Sequence, residues 1–210
     1  MSRPSGRRIG RPPVTVNGQT VPERLVDVAR DLFAEKGFER TSVQDIVDAA
    51  GVTKGAMYHY FASKDDLLAE IYARVLRMQL ARLEAFIASD APVSDRIASA
   101  AADVVVTTIE NLASTTIFFR SLHQLNPEHE RQVRAERRRY HDMFRQLVAD
   151  GQESGELRGD VDADLVVDFY FGAVHHLPTW WRPERGPAAE KVGETFAGML
   201  LDALRATGGE

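Results

Sequence analysis

From Val21 onward, large apolar residues recur three and four positions apart, and nowhere do they alternate with a period of two. A chain patterned this way folds into helices and nothing else, so the expected class is all-α with about nine helices. Leu25, Val28, Ala29, Leu32 and Phe33 mark the first helix, with Thr20 as cap, Pro22 in its first turn and Gly37 as its stop. Thr41 or Ser42 caps a second, short helix whose apolar face is Val43, Ile46, Val47 and Ala50. Gly51 ends it, and a third helix runs from near Thr53 to Tyr60. Ser63 then opens a longer helix to about Ile87, with Asp65 and Asp66 at its positive dipole end. Further helices are expected over about 94–124 (with a break near Ser114), 127–153, 162–181 and 187–206.

The segment 44–60 therefore reads as helix, tight glycine turn, helix, with apolar residues on both sides of the turn. That is the layout of a helix-turn-helix. Charge supports a nucleic-acid role for this end of the chain. The net charge of the 210 residues is −5, yet residues 1–64 hold ten basic and seven acidic side chains, and the remainder is strongly acidic. A basic head on an acidic body keeps the field that attracts a polyanion at one end. Residues 1–20 hold almost nothing large and apolar, and are expected to form a disordered basic arm. Within it, Gly6-Arg7-Arg8-Ile9-Gly10-Arg11-Pro12-Pro13 is similar to an AT-hook. Arg7, Arg8 and Arg11 in extended backbone suit a narrow A·T-rich minor groove.

Val43–Leu68, reading V-Q-D-I-V-D-A-A-G-V-T-K-G-A-M-Y-H-Y-F-A-S-K-D-D-L-L, resembles the DNA-binding signature of the TetR family of bacterial transcriptional regulators. The resemblance covers about residues 20–70. It implies a three-helix DNA-binding domain at 21–66 and a larger C-terminal ligand-binding and dimerisation domain at 67–210, after the arm at 1–20. It also implies that Ser42, Gln44, Thr53, Lys54, Gly55, Tyr58, His59, Tyr60 and Lys64 contact operator DNA. The side-chain chemistry agrees. Gly55 permits close approach of the helix. Tyr58, His59 and Tyr60 offer phosphate donors, and Lys64 stands at a helix start, where an ammonium and free N–H groups can share a phosphate. Gln44, Thr53 and Lys54 are the side chains able to read base edges. Met57 and Phe61 fall on the core face.

Beyond residue 70, Asp160–Val166, Thr179-Trp180-Trp181-Arg182-Pro183 and the stretch to Gly193 resemble the members of that family that repress fatty-acid and sterol-side-chain catabolism and release DNA on binding acyl-CoA thioesters. This implies an apolar tunnel lined by Phe118, Phe119, Phe144, Phe169, Tyr170 and Trp180. Arg120 and Arg182 are expected at its mouth, facing phosphates or a carboxylate. Arg134, Arg137, Arg138, Arg139 and Arg145 read either as a solvated face partnered by Glu130 and Glu136, or as a dock for an anionic ligand. The last two helices carry large apolar residues on more than one face, so one face packs inward and the other needs a partner. A homodimer through these helices satisfies both, and matches two heads to successive major grooves.

The expected function is a ligand-responsive repressor, released from a palindromic operator by a small apolar or acyl-CoA-type effector. The alternative within the family is control of an efflux or detoxification operon by hydrophobic drug-like compounds. The absence of cysteine excludes disulfide, zinc-finger and thiol chemistry. An enzyme, for example a hydrolase using His123 or His175, lacks a nucleophile elbow, a phosphate-binding glycine loop and a triad in the sequence. His123, His129, His141, His175 and His176 lack the four-residue spacing of a helical zinc pair, so neither a metal nor a cofactor is expected. No segment is long and apolar enough to span a membrane and the basic N-terminus has no signal-like core, so a cytoplasmic location is expected. An architectural DNA-coating protein is the remaining class; a single-site footprint separates it from a repressor.

Overall fold

Local capping sets where the helices begin. In the computed structural model, which describes residues 15, 16 and 18–205, helix α1 (Val21–Lys36) opens with a reciprocal box. The Glu23 N–H donates to Thr20 Oγ1, and the Thr20 N–H donates to Glu23 Oε2 at 2.8 Å. Helix α2 (Val43–Ala50) uses the same device between Ser42 and Asp45. Ser42 is thus the cap, while Thr41 is buried with its hydroxyl donating to Gly37 O at 2.8 Å. Gly51 closes α2 in the left-handed region at φ +62°, a conformation only glycine adopts without strain. Helix α3 (Lys54–Tyr60) follows at once, capped by Thr53 Oγ1, which accepts from the Ala56 N–H.

Among the described residues there are nine α-helices. The rest are α4 (Lys64–Ile87), α5 (Val93–Glu110), α6 (Leu112–Ser121), α7 (Pro127–Glu153), α8 (Ala163–Trp180) and α9 (Ala189–Leu204). A 3₁₀ turn at Leu122–Gln124 follows α6. The break expected near Ser114 falls at Asn111, and Ser114 is buried inside α6. One expectation fails outright. Thr15–Val16 and Gln19–Thr20 pair as a short antiparallel ladder, Thr15 opposite Thr20, in a stretch assigned to the arm. The Asn-Gly dipeptide at 17–18 is the hairpin signal that marks it, and Gly18 sits at φ +80°.

Two cores form. The head core gathers Leu25, Ile46, Met57, Leu67 and Leu68, but also takes Ile117, Leu125 and Val133 from beyond residue 67. The body core runs from Leu80 through Ile97, Val105, Phe144 and Leu177 to Leu204. Helix α4 enters both, so the packing boundary does not follow the boundary read at residue 66. Tyr72 of α4 donates to Ile117 O at 3.1 Å and strengthens that junction. At the start of α4, Asp65 meets His129 Nδ1 of α7 at 2.6 Å and accepts from the Asn126 N–H at 3.2 Å. In the body, α5 and α9 lie so close that a Cβ on Gly193 would stand 2.8 Å from Ala102 O.

Candidate functional site

Helix α3 packs on the head through one side chain. Met57 is fully buried, whereas Thr53, Lys54, Gly55, Tyr58, His59 and Tyr60 are all exposed. Tyr58 and Tyr60 are 51% and 47% exposed, large values for aromatic rings. His59 and Tyr60 stack edge to face at 4.8 Å, which fixes both rings on the outer surface. Gly55 carries no intramolecular demand. A Cβ there would meet only Thr53 Oγ1 at 3.8 Å, and the backbone is ordinary helix. The glycine is unexplained by the chain's own packing.

On α2, Gln44 is exposed, with Nε2 donating to Asp48 Oδ1 at 2.6 Å. Ser42 is exposed, but its hydroxyl is spent on Asp45 at 2.6 Å. Lys64 has partners within the chain. Its ammonium donates to Phe38 O at 2.7 Å and Thr41 O at 2.9 Å, and lies 4.2 Å over the Phe38 ring. Partial burial lowers its pKa. Lys64 ties the α1–α2 loop to α4 with two of its three ammonium donors. Arg7, Arg8 and Arg11 lie outside the described residues.

The second element of the site is a cavity of about 640 Å³, counting its open mouth, enclosed by α4, α5, α6, α7 and α8. Its walls are mainly apolar, with Ile71, Leu76, Val104, Phe118, Phe171 and Val174. Four nitrogen-bearing side chains line it: Gln79 from α4, Arg137 and His141 from α7, and His175 from α8. Burial, followed by the Arg137 charge, lowers the pKa of both histidines, that of His175 to about 3. Both rings are therefore neutral near pH 7.

Most of the ligand set read from the sequence is redistributed by the fold. Phe118 and Phe119 do line the cavity. Phe144 is fully buried in the body core, and Tyr170 is buried with its hydroxyl donating to Ala101 O at 2.7 Å. Phe169 and Trp180 point outward, 79% and 48% exposed. Trp181, not Trp180, is the core indole, donating from Nε1 to Pro187 O at 3.2 Å. Arg120 is exposed and away from the lining. Arg182 folds back to donate to the Trp181 and Thr179 carbonyls at 2.8 and 3.2 Å, closing the end of α8. The arginine-rich stretch divides. Arg134 pairs with Glu130 at 2.6 Å, Arg139 with Glu84 at 2.6 Å and Arg145 with Asp164 at 3.1 Å, all facing solvent. Arg137 turns inward. Helical spacing placed it among charged neighbours, and only the position of α8 and α6 makes its face interior.

Among the described residues, Asp65, Asp66 and His129 bring metal-capable atoms within 4.8 Å of one another. Asp65 already holds Asn126 and the His129 ring, so the group reads as a latch between α4 and α7.

Similarity to known proteins agrees with this geometry. The chain is similar to the HTH-type transcriptional repressor KstR2 of Mycobacterium tuberculosis H37Rv, at 28% identity over 196 residues, covering 92% of this chain and 98% of that protein. The solved structure of that ketosteroid transcriptional regulator has a TM-score of 0.78 at 26% identity, over 93% of this chain and 99% of that one. The fatty acid metabolism regulator protein of Bacillus subtilis 168 is 26% identical over 160 residues, covering 75% and 81% of the two chains. The TetR family regulator PfmR from Thermus thermophilus has a TM-score of 0.78 at 29% identity, over 85% and 97%. Residues 25–71 match the family described as bacterial regulatory proteins, tetR family, and residues 90–204, more than half of the chain, match the tetracyclin repressor-like C-terminal domain. This chain belongs to the TetR family, and it is a DNA-binding transcriptional regulator rather than an enzyme.

Proposed function

We propose that a dimer of this chain represses transcription from a palindromic operator and leaves it when a small apolar or acyl-CoA-type effector enters the α4–α8 cavity. The observation that carries the DNA half is the exposed face of α3, with Gly55 at its centre. Thr53, Lys54, Tyr58, His59 and Tyr60 of that face meet bases and phosphates, and Gln44 reaches from α2. Arg7, Arg8 and Arg11 of the arm take the adjoining minor groove. The effector half rests on the apolar walls of the cavity and on the α4–α7 junction beside it, where a shift of either helix moves the head. The relatives named for ketosteroids and for fatty acid metabolism fit an apolar effector.

The dimer rests on α8 and α9. Leu165, Phe169 and Trp180 follow one exposed face of α8, and Met199 lies exposed on α9. Gly172 on α8 and Gly198 on α9 have nothing of their own chain within 4 Å of a Cβ, which suits close approach of a second copy.

Gly55→Ala tests the DNA face. Alanine favours helix over glycine by up to about 1 kcal/mol, so stability holds or rises. Operator affinity, measured by anisotropy on a footprinted genomic site, falls about ten-fold, which is 1.4 kcal/mol. Unchanged affinity would remove α3 from the interface.

A further inference from the structure

Resting on the effector-cavity reading above, we infer that the cavity selects apolar compounds carrying a free carboxylate, which pairs with Arg137 of its lining. The starting point is an unbalanced charge. The Arg137 guanidinium is half-buried, 4.8 Å from the Phe118 ring, in a cavity whose walls are mainly hydrocarbon. Its one side-chain hydrogen-bond contact is His175 Nε2, at a long 3.4 Å. An imidazole nitrogen can accept a hydrogen bond but cannot cancel a charge at this pH, because burial keeps the His175 ring neutral. Among the described residues no carboxylate lies within ion-pair distance of Arg137, although three other arginines of α7 have found one. Glu136, the adjacent residue, faces a separate polar hollow with Glu70 and Arg77.

Even a half-buried cation without a counter-ion is costly, and a protein tolerates it where something else supplies the negative charge. A guanidinium is built for a planar two-oxygen partner. The neighbours define the remainder of that ligand. Ile71, Leu76, Val104 and Val174 give the cavity its mainly apolar wall, with Gln79, Thr108 and Thr115 as the polar exceptions, so the body of the ligand is mainly hydrocarbon. The neutral His141 and His175 rings, 6.0 Å apart and stacked, flank the same end of the cavity and stand ready to donate a second hydrogen bond to the carboxylate. The required carboxylate has two chemical sources: a free apolar acid, or the far end of a dicarboxylic acid whose other end is a thioester.

Calorimetry on the full-length protein separates these sources with four probes: decanoate, decanamide, decanoyl-CoA, and the mono-CoA thioester of decanedioate. At least one of the two carboxylate-bearing probes binds about ten-fold or more tighter than both decanamide and decanoyl-CoA. Decanoate alone in that role identifies free acids as the source, the dicarboxylic thioester alone identifies thioesters, and both together leave the carboxylate as the shared requirement. Arg137→Met reduces the preference to within about two-fold, and its unliganded melting temperature is no lower, because a half-buried unpaired charge has been removed. The acid-against-amide comparison on the parent protein stands whether or not the variant folds. Equal binding of decanamide or decanoyl-CoA overturns the carboxylate subsite and leaves the effector cavity intact. Binding of none of the four overturns the effector cavity as well.

Discussion

Lys64 illustrates how a single side chain is reassigned once its neighbours are known. In the sequence it is a cation at a helix start within a DNA-binding signature. In the fold its ammonium satisfies the Phe38 and Thr41 carbonyls, 26 and 23 residues earlier in the chain. Lys64→Met leaves both carbonyls without that donor and lowers unfolding free energy by about 2 kcal/mol, measured by urea denaturation. The salt dependence of operator binding stays unchanged. A fall of about 0.9 in the log–log slope would restore Lys64 as a phosphate contact. His175 makes a second prediction. Its folded pKa, about 3, lies below the ordinary 6.5, so the unfolded chain binds its proton first. The stabilisation is fully present above pH 6.5 and is lost as pH falls toward 3. Between pH 7 and 5 this residue removes about 2 kcal/mol of stability. His175→Gln should flatten that part of the profile, although His141, shifted in the same direction, retains a share. Identical slopes for parent and variant would show that the ring is not held neutral.

At the scale of the element, the contact between α5 and α9 decides how the body closes. Gly193 is the point of nearest approach, with Ala102 O and Val106 Cγ2 at 2.8 and 3.0 Å from an added Cβ. Gly193→Ala gains up to about 1 kcal/mol in helix propensity but forces two backbones apart, an overpacking cost of roughly 1–3 kcal/mol. Thermal unfolding of the variant should therefore begin lower than that of the parent. A rise would mean that α9 slides without cost. The helices themselves were legible before any of this. The cap residues Thr20, Thr53 and Ser63 were readable and the cap of α2 was narrowed to Thr41 or Ser42, because capping is a matter of three or four consecutive residues. The hairpin at residues 15–20 was missed through attention to composition rather than to the Asn-Gly turn.

At the scale of the whole molecule, the outer faces of α8 and α9 carry exposed Leu165, Phe169, Trp180 and Met199, and the proposed dimer would cover them with a second copy. Phe169 is the most exposed of the large apolar side chains. Phe169→Asp leaves the buried core untouched, so the monomer folds normally. Sedimentation should show dissociation to monomer, and operator affinity should fall with it, since two heads no longer bind as one unit. A stable dimer in this variant would place the interface elsewhere. The head–body junction belongs to the same scale. Ile117, Leu125 and Val133 pack into the head core, and the Asp65–His129 pair joins α4 to α7 at its edge.

The division between sequence and tertiary structure follows from the range of the forces involved. The sequence by itself determined the helices, their caps, the glycine turn at Gly51 and the outward face of α3, with Met57 turned in and Tyr58, His59 and Tyr60 turned out. These depend on the 3.6-residue period and on hydrogen bonds between near neighbours. Tertiary structure alone decided what each face of the body looks upon. Phe119, Phe144 and Phe169 are the same residue type on helices of the same period, yet one lines the cavity, one fills the core and one meets solvent. Periodicity groups residues onto a common face, but an apolar face suits a core, a ligand or a partner chain equally well. The choice is made by which helix lies opposite. The same reason separates Trp180 from Trp181, and turned Arg137 from one more surface charge into the cation of the cavity.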